Sequence, residues 1–242
     1  MRGLVAGNRG RPEEGLVDLY RAHELRPGDA NVLVEMNRFS QAAGLQHYER
    51  HLNRLIEVDP LSPQAHLLMA MHVYWSIHGP GGQVTASAQR AIQLAPDPSM
   101  LHIVAGWLMG ASGFRAEAGT VLDRVRSHSN TQLAALGSFL SCALESDKEG
   151  ALRATMREAE QTASNEFICF ILAEAYARLD RGEDALRMLR AALRFGFINY
   201  PSLTTNDTLV QCLRDDPRYQ ALLFEIKPRW EGVVEWERGL VT

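Results

Sequence analysis

Residues 167 to 193 read FICFILAEAYARLDRGEDALRMLRAAL. Leu172, Ala173 and Tyr176 precede a polar break at Asp180-Arg181-Gly182, and Ala185, Leu189 and Ala192 follow it at three- and four-residue steps, so the stretch reads as two helices folded back on one another. The break recurs. Gly10, Gly44, Gly79, Gly113, Asp147 and Gly182 follow one another every 34 or 35 residues, the mark of a solenoid. Pro27, Pro60 and Pro96 give a second register, because each stops an apolar helical stretch ending in Glu-Leu-Arg, Glu-Val-Asp or Gln-Leu-Ala.

Between these marks each unit divides into two helix-length stretches. First helices are expected near 30 to 43, 64 to 78, 98 to 112, 131 to 145 and 165 to 180; their partners are expected near 12 to 26, 46 to 58, 83 to 95, 115 to 127, 148 to 162 and 183 to 195. Helices of about 12 to 15 residues are marginal alone in water, so each must be held by its neighbours.

Placed in register, the unit from Phe167 to Leu193 resembles the tetratricopeptide repeat family, with Leu172-Ala173, Tyr176, Ala185, Leu189 and Ala192 at that family's motif positions. Leu19, Ala22 and Pro27 repeat the later positions in the first unit, and Ala88, Ala91 and Pro96 in the third. Small residues there let two helices approach closely. Leu55 stands where alanine is usual, and Asp147 replaces the turn glycine. The resemblance covers residues 4 to 195. It implies an all-α, right-handed superhelical solenoid of helix-turn-helix repeats, with about five and a half hairpins in residues 1 to 195.

Residues 4 to 9 read as the last turn of a helix that begins upstream, so the chain reads as a piece of a longer protein. At the other end the period fails at Gly196-Phe197-Ile198-Asn199-Tyr200-Pro201, and residues 196 to 242 are expected to form a C-terminal cap on the last hairpin. Asp216-Pro217 is a helix start, and that helix carries Tyr219, Leu222, Leu223 and Ile226 on one face before Pro228. The tail is similar to those that close repeat arrays in bacterial multidomain signalling proteins, which implies a parent with a kinase, cyclase or winged-helix domain.

An apolar fraction of 46% in 242 residues supports a continuous core and excludes wholesale disorder. A net charge of -4, from 25 basic and 29 acidic residues, is too balanced for capture of nucleic acid or an anionic membrane. Cys142, Cys169 and Cys212 are odd in number, widely spaced and set among apolar neighbours, so they read as core residues in a reducing, cytoplasmic compartment. The stretch from Met100 to Phe114 is too short to span a bilayer, and the N-terminus lacks the apolar core of a signal peptide.

In the family that this chain resembles, the first helices line a concave groove that holds a partner segment. Carried over, the groove comprises Asn31, Val34, Glu35 and Arg38, then His66, Met69, Val73 and Ser76, then Met100, Ile103 and Trp107. Only Asn31 and Arg38 resemble the Lys, Arg and Asn cluster that grips a C-terminal carboxylate, so an apolar or amphipathic partner segment is expected instead. Met adapts to such a partner and Trp supplies area. The same side chains equally suit packing between neighbouring repeats.

Catalytic signatures are incomplete. His47 and His51 are four apart on a helix, as two metal ligands can be, but no third ligand at matching spacing joins them, and His66, His72 and His78 scatter around their helix. The glycine-rich stretch from His78 to Thr85 lacks the Gly-Lys-Ser/Thr ending of a phosphate-binding loop and reads as an inter-helix turn. Gly137-Ser138 lies inside a helical pattern, away from any nucleophile elbow. Glu158 and Glu160 point apart as solvated carboxylates, and Arg187, Arg190 and Arg194 form a solvated basic stripe. The expectation is a protein-binding scaffold that is not an enzyme and has no cofactor or metal. The alternative is a regulatory or spacer region whose groove packs against its own chain.

Overall fold

The computed structural model describes residues 11–45, 48–75, 81–153, 156–205 and 207–241. Among these the chain is all-α. The first helices of the hairpins are α2 (Ala30–Ala42), α4 (Pro63–Trp75), α6 (Met100–Ala111), α8 (Thr131–Glu145) and α11 (Glu166–Arg178). Their partners are α1 (Pro12–Leu25), α3 (Glu49–Val58), α5 (Gly81–Leu94), α7 (Arg115–Arg126), the pair α9 (Lys148–Arg153) and α10 (Met156–Glu160), and α12 (Gly182–Arg194). The tail forms α13 (Tyr200–Thr205), α14 (Asp207–Leu213) and α15 (Pro217–Val241). Gly10, Gly79 and the helical remnant expected at residues 4 to 9 lie outside the described residues.

Local chemistry sets these boundaries. Asp29, Asn130 and Asn165 cap α2, α8 and α11, each side-chain oxygen accepting two backbone N–H groups of the first turn. Asp216 accepts from the Arg218 N–H at 2.8 Å, ahead of Pro217 at the first position of α15. After α2 the chain turns at Gly44, whose φ of 64° sits badly with a side chain and whose missing Cβ would fall 2.6 Å from Asn199 Oδ1. α15 continues through Pro228 rather than ending near it. Proline leaves the carbonyl four residues earlier without its helix partner, and that residue, Phe224, is 82% exposed, so water can take its place.

Consecutive helices pack as hairpins, and each hairpin packs on the next through its first helix, in the order α2, α4, α6, α8, α11. Close crossings use glycine: a Cβ on Gly106 would meet Leu122 at 3.0 Å, and one on Gly110 would meet Leu144 at 2.3 Å.

The inner row then closes on itself. α6 touches α11 across α8, and Arg38 of α2 forms an ion pair with Glu166 at the start of α11. Every residue of α11 from Glu166 to Ala177 is buried, as suits a helix that is apolar on all sides. Trp75 at the end of α4 stacks on Phe167 at 5.3 Å and meets Phe170 and Phe197 edge-on. Beyond α12 the Ile198 N–H donates to Ala42 O at 2.8 Å, and Asn199 Nδ2 donates to Gln41 O at 2.9 Å. The Ala42 carbonyl, at the end of α2, is thus satisfied from the far end of the array, and Gln41 O gains a second donor beside the local Gly44 N–H. The tail does more than cover the last hairpin. It packs on α12 and holds Glu183 through Arg218, but α15, about 37 Å long, also brings Trp236 edge-on to Tyr20 of α1 at 5.2 Å. No helix among the described residues is long and apolar enough to cross a membrane.

Candidate functional site

The expected groove residues part company. Trp107 and Ile103 are fully buried and Val73 nearly so. Trp107 Nε1 donates to Glu174 Oε2 at 2.8 Å, and the Tyr74 hydroxyl donates to Glu174 Oε1 at 2.8 Å, so α4 and α6 converge on a buried carboxylate of α11. Trp107, Ile103 and Val73 are thus packed inside, and at Trp107 the space that a partner would need is filled by α11. Met69 is half-buried against the core, and His66 Nε2 lies 3.0 Å from Pro60 O. Asn31 is exposed on the first turn of α2, and Ser76 lies outside the described residues.

Val34, Arg38 and Met100 do come together. They line a pocket of 340 Å³ with Gln64, Leu67, Leu68, Met71, Val104, Asn165, Phe167 and Ile168. Its walls are α2, α4, the first half of α6 and the start of α11, and its lining is mostly apolar. At its edge Arg38 is shared between Glu35, at 2.9 Å, and Glu166. Burial pushes the Glu166 carboxyl above its ordinary range, against the downward pull of the Arg38 guanidinium. The size suits one or two large apolar side chains.

On α4 the lining residues are 64, 67, 68 and 71, rather than 66, 69 and 73. That displacement is a rotation of roughly 180°, half a helical turn, so the opposite face of α4 lines the pocket. No polar stripe on PQAHLLMAMHVYW fixes which side faces inward. Phe167 and Ile168 lie on an expected first helix; that they face a pocket depends on how far the array curls.

The candidate chemistry resolves into structure. Ser138 Oγ donates to Ala134 O at 2.9 Å inside α8, and Gly81 and Gly82 form the first turn of α5. His47 and His78 to Pro80 lie outside the described residues, among which no group of three His, Cys, Asp or Glu side chains is placed to hold a metal. His72 Nδ1 lies 2.7 Å from the Tyr48 hydroxyl. Glu160 departs from the expected solvated role: it accepts a bidentate fork from Arg187, at 2.6 and 2.9 Å, and a hydrogen bond from Tyr176. Arg187 is therefore paired, while Arg190 and Arg194 are exposed. The three cysteines form no disulfide, and burial, reinforced by Glu166, pushes the Cys169 thiol up to about 12. Such a thiol is a poor nucleophile at neutral pH.

No protein-family model matches this chain, and no curated protein matches it.

Proposed function

We propose that this chain is a non-catalytic protein-binding module of tetratricopeptide-type hairpins, which takes large apolar side chains of a partner segment into the pocket between α2, α4, α6 and α11. The observation that carries the reading is an apolar pocket of 340 Å³ between the first helices of the hairpins. The 34- to 35-residue period and the glycine crossings at Gly106 and Gly110 support the repeat type. Recognition is by shape and burial, with each large apolar side chain contributing about 1.5 to 3 kcal/mol when fully covered. Three cysteines without a disulfide suit a reducing, cytoplasmic setting.

Leu67, half-exposed at the pocket, gives the test. Leu67→Glu places a charge in the lining without opening the core. A partner retained by the wild-type chain and cross-linked to pocket residues should be lost from the folded variant. Retention of the same partner at the same strength would remove this pocket from the interface.

One observation favours a second reading, a regulatory or spacer region of a larger signalling protein: the inner face is covered by the chain's own α11 and by residues 197–199. A gene whose frame continues upstream of Met1 into a kinase, cyclase or DNA-binding domain would support it.

A further inference from the structure

A second pocket, of 440 Å³, has the opposite chemistry. Its walls are Tyr20, His23 and Glu24 of α1 and Arg50, His51 and Arg54 of α3. Tyr20, His23 and Glu24 stand at positions i, i+3 and i+4, so one face of α1 presents all three. His51 forms the floor at 7% exposure, with the Tyr20 ring edge-on at 5.5 Å and the His23 ring edge-on at 4.9 Å.

Several features make this pocket electropositive. Arg50 Nε donates to His51 Nε2 at 3.3 Å and its guanidinium also bonds the Tyr20 hydroxyl, but among the described residues it forms no ion pair with a carboxylate. Most of the arginines in the first three hairpins do have such a partner: Arg11, Arg26, Arg38 and Arg54 each hold a glutamate or aspartate. Arg54 adds a second guanidinium, four residues on, and its partner Glu57 is not part of the lining. Arg50 and His51 lie in the first turn of α3, at the positive end of the helix dipole, and the N-cap residue Tyr48 supplies no side-chain acceptor. His23 Nδ1 is buried without a partner. The remaining charged neighbours are Glu24 in the lining, Glu49 beside Arg50, and Glu237 of α15, whose charge is felt at Tyr20 and Tyr48.

The imidazoles report the resulting field. Burial first, then His23 and Arg50, hold His51 down at about 4. Burial, then Arg50 and Arg54, lower His23 despite the opposing pull of Glu24. The arginines therefore outweigh the carboxylates at both rings.

We propose that this pocket binds a phosphoryl oxyanion, taken by the Nε–Nη edge of the Arg50 guanidinium with Arg54 beside it. Two guanidiniums one helical turn apart match the three oxygens of a phosphoryl group better than the two of a carboxylate. Binding exchanges the Arg50–His51 hydrogen bond for an Arg50–oxyanion pair. It also frees His51 Nε2 to take a proton and donate to the ligand. The volume exceeds that of the oxyanion alone, and the Tyr20 and His23 rings leave an aromatic wall for a ring attached to it. This site stands apart from the apolar pocket and does not depend on the function proposed for it.

The test follows the histidine ring signals of the full chain by NMR through a pH titration, with inorganic phosphate or with chloride at equal ionic strength. Phosphate should move the His51 midpoint upward by about one unit, which is a tenfold coupling between proton and anion, and should leave His102 on α6 unchanged. Arg50→Gln should weaken the response about tenfold or more, the loss of a charge-assisted fork. Phenyl phosphate distinguishes the ligand's source: tighter binding assigns a ring-bearing phosphomonoester, equal binding free phosphate. No response to either probe, the same response to chloride, or an undiminished response in Arg50→Gln would overturn the proposal.

Discussion

Replacing Trp107 with alanine separates a groove residue from a core residue. A residue displayed on a concave wall would lose a partner and leave the fold intact. In this structure the indole is wholly enclosed and donates to Glu174 Oε2 at 2.8 Å. Truncation leaves a cavity costing about 3 to 5 kcal/mol and removes a hydrogen bond to a charged group worth about 1.5 to 3 kcal/mol. Those losses take up much of the roughly 5 to 15 kcal/mol that holds a typical domain together. For a chain of this length each kcal/mol moves the midpoint by about 2 to 4 °C, so Trp107→Ala should lower Tm by about 10 to 30 °C. Trp107→Phe keeps most of the packing, removes only the indole donor, and should lie between the two. Thermal unfolding followed by far-UV circular dichroism reads all three proteins. A Tm for Trp107→Ala within about 2 °C of wild type, less than the shift that 1 kcal/mol brings, would refute both the burial and the role of Glu174.

Acid should destabilise the protein early. Burial comes first among the causes that lower His23, His51, His72 and His102 below their ordinary value of 6.5, so their contribution is fully present above that pH and lost as the unfolded chain takes up protons that the folded one resists. For His51, held at about 4, the loss between pH 6.5 and 4 is about 3 kcal/mol. Glu166, raised by burial, acts in the opposite sense at the acid end. Urea midpoints measured across this range should fall steeply for wild type and less steeply for His51→Phe; equal slopes would contradict the burial of His51. Asn199→Ala removes the bond to Gln41 O and the cap on the Ser202 N–H. It should cost about 1 to 2 kcal/mol and speed amide exchange at Ile198; unchanged exchange there would argue against closure of the array. Two glycines on neighbouring helices should behave oppositely. Gly110→Ala forces a Cβ against Leu144 and should destabilise by about 1 to 3 kcal/mol, while Gly119→Ala, in open space on α7, should stabilise by up to about 1 kcal/mol. Equal Tm shifts would contradict the close crossing of α6 and α8.

Helices and hairpins were legible in the sequence because their causes are local. Breaks near every thirty-fourth residue and apolar steps of three and four lie within one unit or between adjacent ones, as do the caps that the structure shows at Asp29, Asn130 and Asn165. The orientation of α4 was not legible, since a helix apolar on all sides carries no mark of which face turns inward. The pocket was legible only in part: Val34, Arg38 and Met100 were placed on it, but not Leu67, Met71, Val104, Phe167 or Ile168.

The sequence by itself determined an all-helical chain of paired helices with a break in period after Arg194. Tertiary structure alone decided that the inner row curls until Arg38 meets Glu166, 128 residues away, and Gln41 meets Asn199, 158 residues away. The physical reason is that a small rotation between neighbouring units is set by side-chain fit at each crossing and accumulates over the array. No single repeat encodes the sum, and that sum buried α11 where an open groove was expected.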